Sequence, residues 1–391
     1  LEIEYMGQES LTRTSMLWLA LLVTASVACT TDTACSLNGV CTAGRCACDA
    51  PWSGSACERL NRGATKVTGG GIYGYSPNVT SWGGNAIQDP STGTWHLYVA
   101  EMAGKRCGLH VWESQSTVAH ATASTVEGPY QKQGTVIGVD AHNPQAIVVN
   151  GSWYIFHIGS GASTRAPQDC NETANALWSP SEPSAAEGST LHRSVAGPEG
   201  PFTPVASRGV PALCNNPSPV LHPNGTLFLF CTWSIRASLS GSPEGPWTAP
   251  RSVRPPGAKD RNWEDPFLFF DQRGNFHVLC HTWSALPYPS NNVSGHGFST
   301  DGVQWTFSQQ EPYDNAVTHA DGTVQRFATL ERPKLLFTDP TKPYTPTHLI
   351  NGASAVWLDG SDPCAVCGGH CSHCKQELGI DWTYTLMTPL V

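Results

Sequence analysis

The sequence predicts an all-β protein, a small disulfide-rich module followed by a five-bladed β-propeller. Three observations carry that expectation. The 391 residues include 38 Gly, 30 Pro and 14 Trp but only 14% charged side chains, the composition of a turn-rich β protein. Six cysteines crowd into residues 29–57, too short a stretch to bury a core without cross-links. From about Asn61 onward, one strand–hairpin–strand pattern recurs five times. The formal charge of −9 offers no basic face, so a nucleic-acid partner is not expected.

The chain opens on one apolar block, "MLWLALLV" (Met16–Val23), after Arg13 and before the small residues Ser26-Val27-Ala28. This reads as a secretory signal peptide over residues 1–28, too short to cross a bilayer. No other segment approaches the roughly 18 apolar residues of a membrane span, so a secreted, extracellular chain without one is expected. Fifteen cysteines suit that oxidising compartment, as do five glycosylation sequons at Asn78, Asn150, Asn171, Asn224 and Asn292.

Cys29, Cys35, Cys41, Cys46, Cys48 and Cys57 follow the spacing C-x5-C-x5-C-x4-C-x-C-x8-C, with Gly54 between the last two. Spacing alone leaves 15 connectivities open. The pattern resembles an EGF-like module, here over residues 29–58, and that resemblance implies the pairs Cys29–Cys41, Cys35–Cys46 and Cys48–Cys57. A module of this kind could also dock an extracellular protein partner.

The propeller is expected over residues 59–391. Its repeats run "NAIQDPSTGTWHLYVA" from Asn85, "NPQAIVVNGSWYIFHI" from Asn143, "NPSPVLHPNGTLFLFCTW" from Asn216, "DPFLFFDQRGNFHVLCHTW" from Asp265 and "RPKLLFTDPTKPYTPTHLI" from Arg332. Each starts with a polar residue, usually before Pro, and continues as an apolar strand, a tight turn and an aromatic-rich strand. Asn150-Gly151 and Asn224-Gly225 are signals for two-residue hairpins with φ > 0. Between these lie "EGPY" at Glu127, "EGPF" at Glu199, "EGPW" at Glu244 and "DGVQW" at Asp301, turns entering a late strand of each unit. Four strands per unit, repeated five times, define the propeller. The last stretch, "DWTYTLMTPL", alternates and is the expected ring-closing strand.

The x-Pro strand starts, the acidic "EDP" and the E-G-P turns together resemble the five-bladed propeller of glycoside hydrolase family 43, over about residues 61–391. In that family three carboxylates at innermost strand starts act as general base, pKa modulator and general acid. The resemblance places the acid at Glu264. At the base and modulator positions this chain offers Asn85 and Asn216, and an amide cannot take a proton from water near neutrality.

The residues narrow the chemistry further. Glu264 and Asp265 are sequence neighbours, so on a regular strand they would face opposite ways. Glu331, one repeat on, holds the place of Glu264, and propeller geometry should gather Glu264, Asp265, Glu331 and Arg332 round the axis. The carboxylates would then raise one another's pKa while Arg332 lowered them. The candidate catalytic residues are therefore Glu264 as acid, Glu331 as base and Asp265. Asp265 could equally be a structural acceptor for strand-start N–H groups, as could Asn143 and Asn216.

Candidate sugar contacts are Asn85, His142, Asn143, Asn216, Trp263, His281, His296 and Arg332, with Trp82, Trp233 and Trp283 as further stacking or core rings. His296 is read in a glycine-flanked loop, "SGHGFS". The histidines lack metal-ligand spacing, and no metal or cofactor is expected. Cys364, Cys367, Cys371 and Cys374 (C-x2-C-x3-C-x2-C) are too closely spaced for a zinc site and read as disulfides. Nine cysteines outside the module leave an odd one, and Cys231 and Cys280, at the same place in adjacent repeats, are expected to share one environment. The function expected is glycoside hydrolysis on an oligo- or polysaccharide in the channel. The alternative is a non-catalytic carbohydrate-binding or adhesion protein on the same scaffold.

Overall fold

The computed structural model describes residues 29–76, 79–104, 107–162, 188–205, 210–211, 214–254, 263–282, 293–327, 329–354 and 382–391. The signal-peptide segment, Asn78, Cys170, Asn171, Trp283, Asn292 and the Cys364–Cys374 cluster lie outside these residues.

Five four-stranded antiparallel sheets form the blades. Blade one comprises Ser81–Gln88, Trp95–Met102, Ser116–Ala123 and Gln131–Ile137. Blade two comprises His142–Val149, Ser152–Ile158, Ser189–Ser194 and Thr203–Pro204. Blade three comprises Pro217–Leu221, Leu227–Cys231, Ser234–Ala237 and Arg251–Ser252. Blade four comprises Trp263–Phe270, Phe276–Thr282, Ser294–Ser299 and Thr306–Phe307. Blade five takes three strands from the end of the chain, Thr329–Leu336, His348–Ser354 and Thr383–Pro389, and its outer strand, Gly71–Tyr73, from the start.

The ring therefore closes by the early strand Gly71–Tyr73, which pairs with the C-terminal strand. The stretch "DWTYTLMTPL" supplies the third strand of blade five and carries that closure. The first strand of every blade touches the first strand of the next, all the way round, so these five strands line the axis.

Apolar side chains fill the five gaps between blades. One cluster joins blades one and two through Tyr98, Val118, Trp153 and Ile155. Another joins blades three and four through Phe230, Ile235, Leu268 and Phe276. The gap between blades four and five runs on into the small module, since Phe267, Leu279, Leu335 and Tyr384 share one core with Trp52, Cys57 and Leu60. The module thus docks through buried apolar area, the dominant favourable contribution to association.

In the module the disulfides are Cys29–Cys41, Cys35–Cys46 and Cys48–Cys57, as the EGF resemblance implies. Cys214 pairs with Cys231, and Cys107 is also disulfide-bonded. Cys280 is a buried free thiol, so Cys231 and Cys280 do not share an environment. Cys231 has Cys214 within bonding reach, just ahead of the neighbouring strand Pro217–Leu221, whereas Cys280 lies near the acid Asp265.

The turns also sharpen the sequence reading. Asn150 and Gly151, with φ of 49° and 75°, form the two-residue hairpin expected. Asn224-Gly225 does not. Leu221 pairs with Leu227, and the five residues between them form a longer loop with only Gly225 left-handed, at φ 85°. Phe270 pairs with Phe276 over an equivalent loop, with Gly274 at φ 79°.

Candidate active site at the propeller axis

The axial strands share one device. In four of the five blades the pairing skips near the strand start, with two residues opposing one: Gly83-Gly84, Asn143-Pro144, Asp265-Pro266 and Arg332-Pro333. These are β-bulges, and proline is tolerated there because the ladder requires no N–H at that point. The first bulge residue is left-handed in each, at φ 66° for Gly83, 50° for Asn143, 53° for Asp265 and 54° for Arg332. Asn216, just before the first strand of blade three, has the same φ of 50°. Asn and Asp tolerate this conformation, whereas an Arg there stores backbone strain of about 1–3 kcal/mol.

This device corrects two expectations. The blade-one equivalent of Asn143 is Gly83, not Asn85. Asn85 lies two residues along the strand, where its amide donates to Ala146 O at 3.0 Å and its Oδ1 accepts from Ala146 N at 2.8 Å. It staples blade one to blade two, as the Ser218 hydroxyl staples blade three to blade four by accepting from Leu268 N at 2.9 Å. The second correction concerns Glu264 and Asp265, which do not diverge. The bulge breaks the two-residue alternation, and ligand-capable atoms of Glu264, Asp265 and His281 lie within 4.8 Å of one another.

The bulge residues make a polar chain across the axis. Asn143 Nδ2 donates to Asn216 Oδ1 at 2.8 Å and lies 3.4 Å from Asp265 Oδ1. Arg332 Nη1 stands 3.2 Å from the same oxygen. All four residues are buried.

Beside this chain stand the residues that precede each left-handed position: Trp82, His142, Asn215, Glu264 and Glu331. Trp82 is buried against Gly352 of blade five. His142 is buried, shares a hydrogen bond of 2.7 Å with Ser116 Oγ and stacks on Trp112 at 4.6 Å. Burial, then the nearby Arg332, keeps it well below the usual histidine range. Glu264 is partly exposed and pairs in register with His281.

Glu331 is buried, accepts from Thr329 Oγ1 at 2.7 Å and lies 3.6 Å from His281 Nδ1. Burial, followed by repulsion from Asp265, pushes its carboxyl up to about 7, against the opposing effects of Thr329 and Arg332. His281 is pushed down to about 4 by burial, so it is neutral at pH 7 and stands between the two glutamates. Buried polar atoms without a hydrogen-bond partner among the described residues gather here: Asn143 Oδ1, Gln145 Oε1, His142 Nε2, Arg332 Nε and Asn351 Oδ1.

Glu264, Asp265 and His281 could together ligate a cation, but Arg332 already supplies a positive charge beside Asp265.

The structure brings Glu264, Asp265, Glu331, Arg332, Asn143, Asn216, His142 and His281 together. It leaves the other candidates elsewhere. His296 lies in a buried strand, not a loop, hydrogen-bonded to His277 at 3.1 Å and stacked under Trp52 of the small module. Trp263 points outward, edge-on to Phe307 of the outer strand at 4.6 Å and tilted against Trp233. The E-G-P glutamates are peripheral, with Glu127 on Lys66 at 2.5 Å and Glu244 on Arg193 at 3.0 Å.

Lys334 is the residue that the sequence reading missed. It is buried 5.6 Å from the Phe267 ring, and burial pushes it down to about 7 against the attraction of Asp265. Its signal was a lysine at the position where the other four strands carry Asn85, Gln145, Ser218 and Phe267.

Residues 31–59 match the family model of the Teneurin-like EGF domain. No curated protein matches the chain in sequence. Among solved structures, the chain is similar to the catalytic domain of a GH62 α-L-arabinofuranosidase from Coprinopsis cinerea. That likeness has a TM-score of 0.51 at 13% identity, over 84% of this chain and 97% of that one. An endo-arabinase from Bacteroides thetaiotaomicron matches at TM-score 0.49 and 12% identity, over 85% and 98% of the two chains. An exo-β-1,3-galactanase from Phanerochaete chrysosporium matches at TM-score 0.46 and 13% identity, over 84% and 64%. The chain is thus an EGF-like module followed by a five-bladed propeller whose fold is similar to that of the GH62 catalytic domain.

Proposed function

We propose that this protein is a glycoside hydrolase acting on an oligo- or polysaccharide at the propeller axis. One observation carries the reading. Two glutamates at equivalent places in adjacent blades flank a neutral histidine, and the buried one is protonated up to about pH 7 while the other is partly exposed. Glycoside cleavage needs one protonated and one ionised carboxyl, separated by their surroundings. The roles expected for these two residues from the sequence are exchanged in this reading. Glu331 is the proton donor to the leaving oxygen, and Glu264 is the carboxylate that serves as base or nucleophile. The unpartnered atoms of Asn143, Gln145 and His142 would receive sugar hydroxyls, and Asp265, paired with Arg332, supplies field rather than protons. Four described disulfides and the exposed hairpin tip at Asn150 accord with an extracellular, glycosylated chain.

A second reading, a non-catalytic carbohydrate-binding protein, is favoured by one feature. Blades one and three present Gly83 and Asn216 at the axis, where the resemblance implies a base and a pKa modulator. Turnover of a glycoside panel by wild type, Glu264→Gln and Glu331→Gln separates the two. Hydrolysis slowed about 10²–10⁴-fold in each variant supports the enzyme. Equal binding without turnover in all three leaves the binding protein.

A further inference from the structure

A cleft of about 110 Å³ lies in the seam between the EGF-like module and the propeller. Asn38, Asp49 and Trp52 of the module form one wall, with the first hairpin of blade four and the Tyr344 loop of blade five opposite. This place is remote from the axial site. Glu264 is the second residue of the first strand of blade four and Asp271 follows its end, so about 20 Å of strand separates them.

The cleft is built of fixed groups. Trp52 is 6% exposed and its ring is held by stacking on His296 at 5.1 Å. Arg273 Nη2 holds both acids, Asp49 at 2.5 Å and Asp271 at 2.8 Å, and contacts Leu37 O at 2.6 Å. Two carboxylates against one guanidinium leave the walls negative, which disfavours an anionic ligand. The Gln272 amide and the Tyr344 hydroxyl are exposed and make no hydrogen bond to any described residue.

Aromatic rings beside a carboxylate and an amide match a sugar ring, which has an apolar C–H face and hydroxyls that both donate and accept. The volume is well under the about 300–1,000 Å³ of a drug-sized pocket, so one ring enters and a chain does not.

We propose that the seam binds a single neutral sugar ring, the end or branch of a glycan, independently of the axis. In taking a glycan as ligand this rests on the axial reading, but its residues and its test are separate. The full chain carrying Glu331→Gln would be titrated with galactose, arabinose, xylose, glucose, mannose and N-acetylglucosamine, followed by saturation-transfer NMR. Glucuronic acid serves as the anionic control. At least one neutral sugar should bind with a Kd of about 1 mM, and Gln272→Ala with Tyr344→Ala should weaken it about tenfold. Both positions are exposed, and near-UV circular dichroism checks that the fold is kept. No transfer from any neutral sugar, preference for glucuronic acid, or binding unchanged in the double variant overturns the proposal. Should Glu331→Gln hydrolyse as fast as wild type, the axial reading fails while the seam titration still stands.

Discussion

Blades four and five bring Glu264, Asp265, Glu331 and Arg332 to the axis, while blades one to three bring Trp82, Gly83, His142, Asn143 and Asn216. The backbone is the same in both halves, with a left-handed residue at the strand start of every blade. The difference lies in the side chains, and it concentrates every axial acid at one inter-blade gap. Burial there, and then repulsion from Asp265, drive Glu331 up to about 7. The neutral half supplies hydrogen-bonding groups and a tryptophan wall. One propeller axis thus carries a charged half and a neutral half on the same backbone.

The sharpest way to break that contrast is to remove its cation. Arg332→Met leaves Asp265 buried without its partner, and loss of one member of a buried pair costs about 3–5 kcal/mol. Urea unfolding would measure it, and the loss should shrink when Asp265→Asn is added. A cost under about 1 kcal/mol would mean the pair does not hold the charged half together.

The next effect is a pH dependence. Glu331 binds a proton more tightly in the folded than in the unfolded chain, so its contribution is full below the ordinary carboxyl value of 4.5 and is lost as pH rises through about 7. Glu331→Gln imitates the neutral form. Relative to wild type it should gain stability from pH 5 to pH 8, on the order of 2 kcal/mol. A difference that stays flat across that range contradicts the shift.

Buried histidines act in the opposite sense. His120, His192 and His281 are lowered to about 4 by burial, so the stability they permit is present above about 6.5 and lost as pH falls toward 4. Taking the difference against Glu331→Gln cancels this common background.

The smallest effects test the neutral half. Asn85→Ala removes both bonds to Ala146 and should cost about 1–3 kcal/mol, while Ser218→Ala removes one and should cost about 1 kcal/mol. Both should leave KM for any axial substrate unchanged. A large rise in KM for Asn85→Ala would return that residue to the site.

Much of this was legible beforehand. The cysteine spacing carried the module, and the x-Pro starts at Asn143, Asn216, Asp265 and Arg332 marked four of the five blades. Blade one was read two residues late because its bulge is Gly83-Gly84. Glycine meets the left-handed requirement without the polar-Pro signature used to find the others. His296 was misplaced because glycines on both sides suggest a loop. In the strand those glycines make room for the rings of Trp263 and Phe307.

The sequence by itself determined the periodic part: a β repeat, its count, and a cross-linked module ahead of it, since alternation and turn chemistry are local. Only the tertiary structure decided which way the acids face. A bulge turns Glu264 and Asp265 toward one place, and closure of the ring sets Glu331 and Arg332 beside them. Both depend on which residue opposes which across strands, and ring closure on pairing between Gly71–Tyr73 and a strand more than 300 residues away. Local propensity carries no record of that pairing.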